Sequence, residues 1–523
     1  MVRIGAASLR GTAVVEEKWR AISAADFFYR NREIAGFDNP VRSTYTIFRE
    51  LVENSMDACE SGGFLPDIYV RLRHVEGGAL EIKVEDNGRG VPRRYIKRAF
   101  AQVLFGSKYT LRQTRGIFGL GGKMAVLYGQ ITTNAPVHVI SSTGGMERYS
   151  YKLMVDIERN EPITKEEVVE RNHGQWRGTV VKLKFQGDYA RARGKILDYL
   201  RHVAIIEPYS QLTFIDPDGV LYFYRRKTEK MPKPPIEVLP HPQGVDVETL
   251  RRLLERFGRG KLVDFLVESF HRVGRRIALK FLKKAKFDPE MDIEELLKRE
   301  DLIPKLVKAM NNFDGWLPPD PSCLSPIGPE LLEIGIKKEL KPEFVAVVQR
   351  KPSAYSGHPF IVEVAMAYGG GVPAPSQGEI NLYRYANKIP LLYDVHNDVS
   401  MKVIKKIKWW RYKLNPETMP IAFFVHVCST KIPYKTVGKE YIADRPEVEY
   451  EIEWGLKEAA RKLKMYLAKK RREESVKRRR ATLMKYLPYI AKFATELCGE
   501  KREPDYERAL ERALASEARA PAA

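Results

Sequence analysis

The chain has 523 residues, of which 44% are hydrophobic and 30% are charged. This composition is typical of a globular protein with several domains. No run of eighteen apolar residues occurs and the first residues lack an apolar core of signal-peptide length, so the sequence predicts neither a membrane span nor a secretory leader. The four cysteines are far apart, which argues against a disulfide framework or a zinc site and predicts a cytoplasmic protein.

The charge balance favours a polyanionic partner. Lysine and arginine number 89 and aspartate and glutamate 67, a net charge of +22. An excess of this size is typical of proteins that bind nucleic acid. A charge-rich thermophilic surface or a generally basic proteome would give the same balance, and composition alone does not separate these explanations.

A helix is predicted over Arg49–Asp57, after a loosely ordered arm at residues 1–24. Glu50, Asn54 and Asp57 are spaced i, i+4 and i+7 and therefore lie on one face of that helix. Two carboxylates and a carboxamide on one face can hold a hydrated Mg²⁺ ion and a water molecule. The alternative is the solvated polar face of an ordinary amphipathic helix.

Two strands are predicted within residues 66–86, joined by a turn at Gly77 and Gly78. The second strand runs into Asp86, which is followed by Gly88 and Gly90. A carboxylate delivered by a strand end into a glycine-rich turn can accept a hydrogen bond from the exocyclic amine of a base. The alternative is a turn with no ligand.

A glycine-rich loop follows at residues 116–123, with four glycines in seven residues, and leads into a predicted helix. Such a loop can fold its backbone N–H groups around phosphates at a helix N-terminus. Neither the P-loop pattern nor the dinucleotide pattern fits, because both fail at Met124. A flexible surface loop is the alternative interpretation.

The remaining pattern predicts an α+β multidomain protein. Strands and a helix continue to residue 215, and a proline-rich segment at 231–242 precedes helices over 246–312, one of them very basic. Strands and helices then alternate over 330–450, and one long helix is predicted over 446–480. The predicted units are 1–238, 239–314, 315–472 and a helical tail, 473–523. Lys431, Lys435 and Lys439 recur on a loop, where they form either a solvated basic surface or a phosphate contact.

Taken together, the three motifs around Glu50, Asp86 and residues 116–123 resemble the ATPase fold shared by gyrase, MutL, ninety-kilodalton heat-shock chaperones and sensor histidine kinases. Over about residues 20–470 the sequence resembles the B subunits of archaeal DNA topoisomerase VI. The segments that carry this resemblance are residues 50–57, 107–109, 113–121, 351–355, 357–361, 384–390 and 428–435.

The resemblance implies a role for each matching residue. Glu50 would be the general base, Asn54 would coordinate Mg²⁺, and Asp86 would bind the adenine amino group of ATP, with Thr179 beside it. Lys439 would be a switch lysine that contacts the γ-phosphate. The ATP lid would consist of Ser107, Lys108, Gly116, Ile117, Phe118, Gly119, Leu120, Gly121, Gly122 and Lys123.

The resemblance also implies an architecture and partners. A two-layer α/β sandwich ATPase domain would precede a helix-two-turn-helix domain and a transducer domain with a mixed sheet and a long C-terminal helix. ATP would close a homodimer around double-stranded DNA, with cleavage by an A subunit in an A2B2 heterotetramer, in the cytoplasm at the nucleoid. Trp409, Arg411 and Tyr412 would contact DNA, although Trp410 stands where the family has lysine. A sensor kinase and a non-enzymatic DNA-binding protein are the alternatives on the same fold.

Overall fold

The computed structural model describes residues 21–106, 110–116, 119–299, 301–376, 378–435, 438–499, 501–502, 504–508 and 511. Residues 1–20 of the predicted arm and four predicted lid residues, Ser107, Lys108, Ile117 and Phe118, lie outside the described residues.

The first part of the chain contains five α-helices and eight strands among its described residues. The helices are α1 Ala24–Arg30, α2 Pro40–Glu60, α3 Arg93–Ala101, α4 Gly121–Thr133 and α5 Tyr189–Ile206. The strands are β1 Asp67–His74, β2 Leu80–Asp86, β3 Val137–Thr143, β4 Glu147–Asp156, β5 Glu161–Arg171, β6 Arg177–Phe185, β7 Gln211–Ile215 and β8 Leu221–Tyr224.

These strands form one mixed sheet in the order β5-β4-β3-β6-β2-β1-β7-β8, in which β1 and β7 run parallel and the other neighbours antiparallel. Alternate residues of a strand face the core, as Leu80, Ile82 and Val84 of β2 do. Helices α2, α4 and α5 cover that face and share one hydrophobic core with it. The result is a two-layer α/β sandwich.

Helix α2 is the central element of this sandwich. It begins at Pro40, where the Asn39 side chain accepts a hydrogen bond from the backbone N–H of Arg42, and proline suits the first helical position. Of its 21 residues, 15 are buried, including Arg49, Glu50, Glu53 and Glu60. Of the predicted polar face, Glu50 is buried and Asp57 is half-buried, whereas Asn54 is exposed.

The middle of the chain is helical and has its own hydrophobic core. Its helices are α6 Val247–Phe257, α7 Leu262–Ser269, α8 Arg275–Ala285, α9 Ile293–Lys298 and α10 Leu302–Asn311. The predicted basic helix is α8, and it follows Gly274 as expected.

The last part contains a second mixed sheet, of six strands in the part of the chain that the structure describes. Its order is β10-β11-β14-β12-β13, with β9 also paired to β11, and β12 runs parallel to β14. The strands are β9 Phe344–Gln349, β10 Ser353–Tyr355, β11 His358–Tyr368, β12 Asn381–Ala386, β13 Ile389–Pro390 and β14 Ile421–Ser429. The helices are α11 Pro329–Leu340, α12 Val399–Lys406 and α13 Pro446–Cys498.

Helix α13 extends further than predicted. It packs on the second sheet through residues such as Ile452, Leu456 and Leu463 and then continues to Cys498, past the predicted end at Arg480. Pro488 lies inside it. The sequence after Arg480 keeps strong helix formers, so the basic run marks an exposed stretch of one helix and not its end. None of the described helices has both the length and the apolar character needed to cross a membrane.

Candidate active site

A cavity of about 890 Å³ lies between α2, the turn after β2, the start of α4 and the turn that joins β12 to β13. Small-molecule sites usually have volumes of about 300–1,000 Å³. Its lining residues include Asn54, Ser55, Asp86, Gly122, Lys123, Thr179, Asn387 and Lys388. Residues from both sheets therefore meet at one cavity.

Asp86 lies at the end of β2 and is held by three donors. Its Oδ1 accepts hydrogen bonds from the backbone N–H groups of Gly88 at 3.0 Å and Thr179 at 3.2 Å. Its Oδ2 accepts one from the Ser55 hydroxyl at 3.1 Å. Burial raises the pKa of Asp86 to about 6, against the opposing effect of these donors. The carboxyl is thus fixed in position by three donors, and its pKa lies above that of an exposed aspartate.

Glu50 and Asn54 of α2 lie against the N-terminus of α4. A Cβ atom at Gly121 would fall 1.7 Å from Glu50 Oε2, and one at Gly122 would fall 2.8 Å from Asn54 Nδ2. The two glycines therefore let the helix start come this close to α2. A helix N-terminus presents unpaired N–H groups and partial positive charge, which suits a phosphate chain.

Glu50 is also tied to its neighbours on α2. The Arg49 guanidinium donates to Glu50 Oε1 at 2.8 Å, and its Nε lies 3.6 Å from Glu53 Oε1. Burial raises the pKa of Glu53 to about 7, while the charges of Arg49 and Lys439 lower it. Lys439 is itself buried and comes from the second sheet's side of the structure. The structure thus brings Lys439 toward Glu53 and not among the residues that line the cavity.

The described lid residues occupy the approach to α4. Lys123 is buried in the first turn of α4 and donates to the carbonyl of Gly119 at 2.8 Å. Leu120 is the residue before α4, and the carbonyl of Gly116 accepts a hydrogen bond from Thr114 Oγ1. Gly119 and Lys123 line the cavity.

Asp57, whose role the sequence left open, forms an ion pair. Its Oδ1 lies 2.6 Å from Arg115 Nη1. Arg115 also pairs with Glu60 at 2.8 Å and with Glu207. Asp57 is thus part of a buried charge cluster next to the cavity, and its position on the face of Glu50 and Asn54 reflects that contact.

The structure adds four residues for which the sequence predicted no role. Ser55 donates to Asp86, and Arg115 anchors Asp57 and Glu60. Asn387 and Lys388 line the cavity from the second sheet. All four lie within segments that carry the family resemblance, which was the available signal, but their contacts join residues far apart in the sequence.

The predicted DNA-binding loop is a short helical turn over Trp409–Tyr412. The Trp409 indole is buried, donates its N–H to the carbonyl of Ile404 at 2.8 Å and packs against Phe423. A DNA contact by Trp409 is therefore not supported, because its ring is a core residue of the second sheet. Trp410 is 71% exposed and lies beside the exposed Arg411, while Tyr412 is half-buried.

Comparisons with known families match two parts of the chain. Residues 40–157 match the family described as histidine kinase-, DNA gyrase B- and HSP90-like ATPase. Residues 319–479 match the family described as topoisomerase VI B subunit, transducer.

Similar proteins extend over nearly the whole chain. The B subunit of type 2 DNA topoisomerase 6 from Metallosphaera sedula is 45% identical over 91% of this chain and 90% of its own length. The B subunit of the same enzyme from Pyrobaculum aerophilum is 44% identical over 90% of this chain and 89% of its own length. The crystal structure of the 43K ATPase domain of Thermus thermophilus gyrase B has 14% identity and a TM-score of 0.40, covering 91% of this chain and 98% of that one.

Proposed function

The chain belongs to the family of B subunits of type 2 DNA topoisomerase 6, the subunits that hydrolyse ATP in that enzyme, and we propose that ATP closes two copies of the chain around a DNA duplex. The observation that carries the proposal is the cavity itself, since residues of the ATPase sheet and of the second sheet line it together. A nucleotide bound there would contact residues of both sheets, and its hydrolysis would change the position of one sheet relative to the other.

The site residues have distinct proposed roles. Glu50, oriented by Arg49, accepts the proton of the attacking water, and the N–H groups at the start of α4 hold the phosphates. Phosphoryl transfer depends mainly on such positioning and on charge stabilisation. Lys439 contacts the γ-phosphate when the second sheet shifts relative to α2. Its position near Glu53 of that helix is compatible with such a contact.

We also propose that Asn54 holds a Mg²⁺ ion. Its side chain is exposed and lines the cavity, and its amide oxygen is a hard ligand of the kind that Mg²⁺ accepts alongside phosphate oxygens and water. The ion would neutralise charge on the β- and γ-phosphates. Gly122 leaves the room beside Asn54 that such a ligand needs, because a Cβ there would reach the amide.

The domain division at residues 238, 314 and 472 is likewise a proposal. It is supported by three hydrophobic clusters that each lie mainly within one range, with Val139, Leu282 and Leu456 as representative members. The partner is proposed to be an A subunit that cleaves DNA, in an A2B2 heterotetramer. Arg411 and Tyr412, with the exposed Trp410, are the residues of the short helical turn that could face DNA.

Nucleotide affinity should depend on pH through Asp86. We expect affinity for ATP to be constant above pH 6 and to fall by about tenfold per unit below it, because only the ionised carboxylate is a full acceptor for the adenine amine. The measurement is equilibrium binding of ATP to the full chain between pH 5 and 8. The same titration on Asp86→Asn corrects for protonation of the phosphates, and an identical pH curve in both proteins would remove Asp86 from adenine recognition.

The proposed function is tested by relaxation of a supercoiled plasmid in Mg²⁺ buffer. The full chain, its A-subunit partner and their mixture are each assayed with and without ATP. Relaxation is expected only from the mixture and only with ATP. Relaxation without ATP, or ATP hydrolysis that is absent from the mixture, would contradict the proposed function.

A further inference from the structure

The turn between β12 and β13 has an unusual backbone. Asn387 and Lys388 are the two residues of a tight hairpin, and both have positive φ angles, 48° and 69°. Hairpins of this kind strongly favour glycine at the second position, because a side chain is disfavoured there. A lysine held in this conformation points to a use for its side chain.

The Lys388 side chain is buried in the first sheet's domain. It is only 4% exposed, and its Nζ lies 3.1 Å from Glu60 Oε2 and 3.2 Å from the Tyr209 hydroxyl. Its backbone N–H donates to His426 Nε2 in the second sheet at 3.1 Å. Lys388 therefore joins the last residue of α2 to the second sheet.

Glu60 connects Lys388 to Arg115, the residue directly before the glycine-rich loop. The carboxylate of Glu60 also lies 2.8 Å from Arg115, which is equally buried and pairs with Asp57 and Glu207. Burial opposes ionisation of Glu60, but Arg115 and Lys388 lower the pKa of Glu60 to about 2. Burial raises the pKa of Glu207 above its ordinary value, so Arg115 and Lys388 chiefly balance the other two carboxylates of the cluster. Loss of either cation would leave buried negative charge uncompensated.

The Asn387 side chain holds the backbone of Thr114, the residue before Arg115. Its Nδ2 donates to the carbonyl of Thr114 at 3.0 Å and to that of Ser429 at 3.0 Å, and its Oδ1 accepts from the N–H of Ser429 at 2.9 Å. One turn of the second sheet therefore contacts both Thr114 and, through Glu60, Arg115. Asn387 and Lys388 also line the cavity.

We propose that Lys388 is a positioning residue of the ATPase. Through Glu60 it fixes the position of Arg115, so that the position of the second sheet determines the position of the residue directly before the glycine-rich loop. This inference rests on the proposed ATP hydrolysis. It assigns to the β12–β13 turn a second mechanical connection between the sheets, separate from Lys439. A purely structural ion cluster would stabilise the fold without changing turnover per folded molecule.

The test is steady-state ATP hydrolysis by the full chain with its A subunit and plasmid DNA. Lys388→Met should lower kcat about tenfold with the KM for ATP within about threefold, because the Lys388 ammonium bonds to Glu60 and Tyr209 rather than facing a nucleotide. Lys388→Arg should recover most of the kcat. The matched control is Lys341→Met, since Lys341 is another lysine with positive φ but is exposed at the end of α11.

A second variant guards against misfolding. Glu60→Gln combined with Lys388→Met removes one charge of each sign, so it should fold, as checked by circular dichroism, and still show the lowered kcat. If kcat in either variant equals that of Lys341→Met, the inference fails while the proposed function stands. If the unsubstituted chain does not hydrolyse ATP, both fail.

Discussion

Glu50→Ala should abolish ATP hydrolysis and leave ATP binding nearly unchanged. General-base catalysis contributes about 10²–10⁴-fold, so kcat should fall by about that factor. Binding should persist because Asp86, Asn54 and the start of α4 line or border the cavity independently of this carboxylate. Single-turnover hydrolysis and equilibrium binding of ATP, measured on the same preparation, separate the two effects.

Glu50→Gln is the matched control for this loss. The amide keeps the size of the side chain and can still accept a hydrogen bond from Arg49, but it cannot take a proton. A base role therefore predicts the same fall in kcat for glutamine as for alanine. Turnover near that of the unsubstituted chain in Glu50→Gln would show that another group, such as the neighbouring Glu53, accepts the proton.

Local periodicity was enough to predict the elements that carry the candidate site. The spacing of Glu50, Asn54 and Asp57 predicted one helix face, and the alternation before Asp86 predicted a strand that ends in a turn. Both elements are present in the structure. These features depend on neighbours within about one helical turn or along one strand, which a sequence displays directly.

Burial could not be predicted in the same way. Glu50 looked like part of an ordinary solvated face, but it is buried close to Gly121, while Asn54 on the same face is exposed. The resemblance implied a DNA contact for Trp409, yet its indole is buried, donates to the carbonyl of Ile404 and packs against Phe423. In each case the deciding contacts come from other elements of the fold, and a periodicity reports only which residues share a face.

The contacts of α2 with the second sheet explain why its charges matter. Near its start, Arg42 pairs with Glu440, and at its end Glu60 pairs with Lys388. These two points are about 27 Å apart along the helix, at about 1.5 Å per residue. Glu50 and Asn54 lie between them, so a shift of the second sheet acts on the helix that carries the proposed base and metal ligand.

Gly121→Ala should also lower kcat strongly, by about 10²-fold, although alanine normally favours a helix. The new Cβ would fall 1.7 Å from Glu50 Oε2 and 2.0 Å from its Cδ, so the carboxylate must move. Because the end of a flexible side chain can give way, the fold should survive and the thermal midpoint should change little. The proposed base would then be displaced from the start of α4, where we propose that the phosphates bind.

The matched control is Gly194→Ala, in helix α5, where a Cβ meets no heavy atom within 4 Å. This substitution makes the same chemical change in a helix and should leave kcat unaltered while raising helix stability slightly. Both variants are compared by steady-state ATPase assay and thermal unfolding of the full chain. Equal kcat values for the two would show that the close approach of Gly121 to Glu50 has no part in hydrolysis. A fall in kcat for Gly121→Ala alone would show that the position of the Glu50 carboxylate matters for hydrolysis, without replacing Glu50 itself.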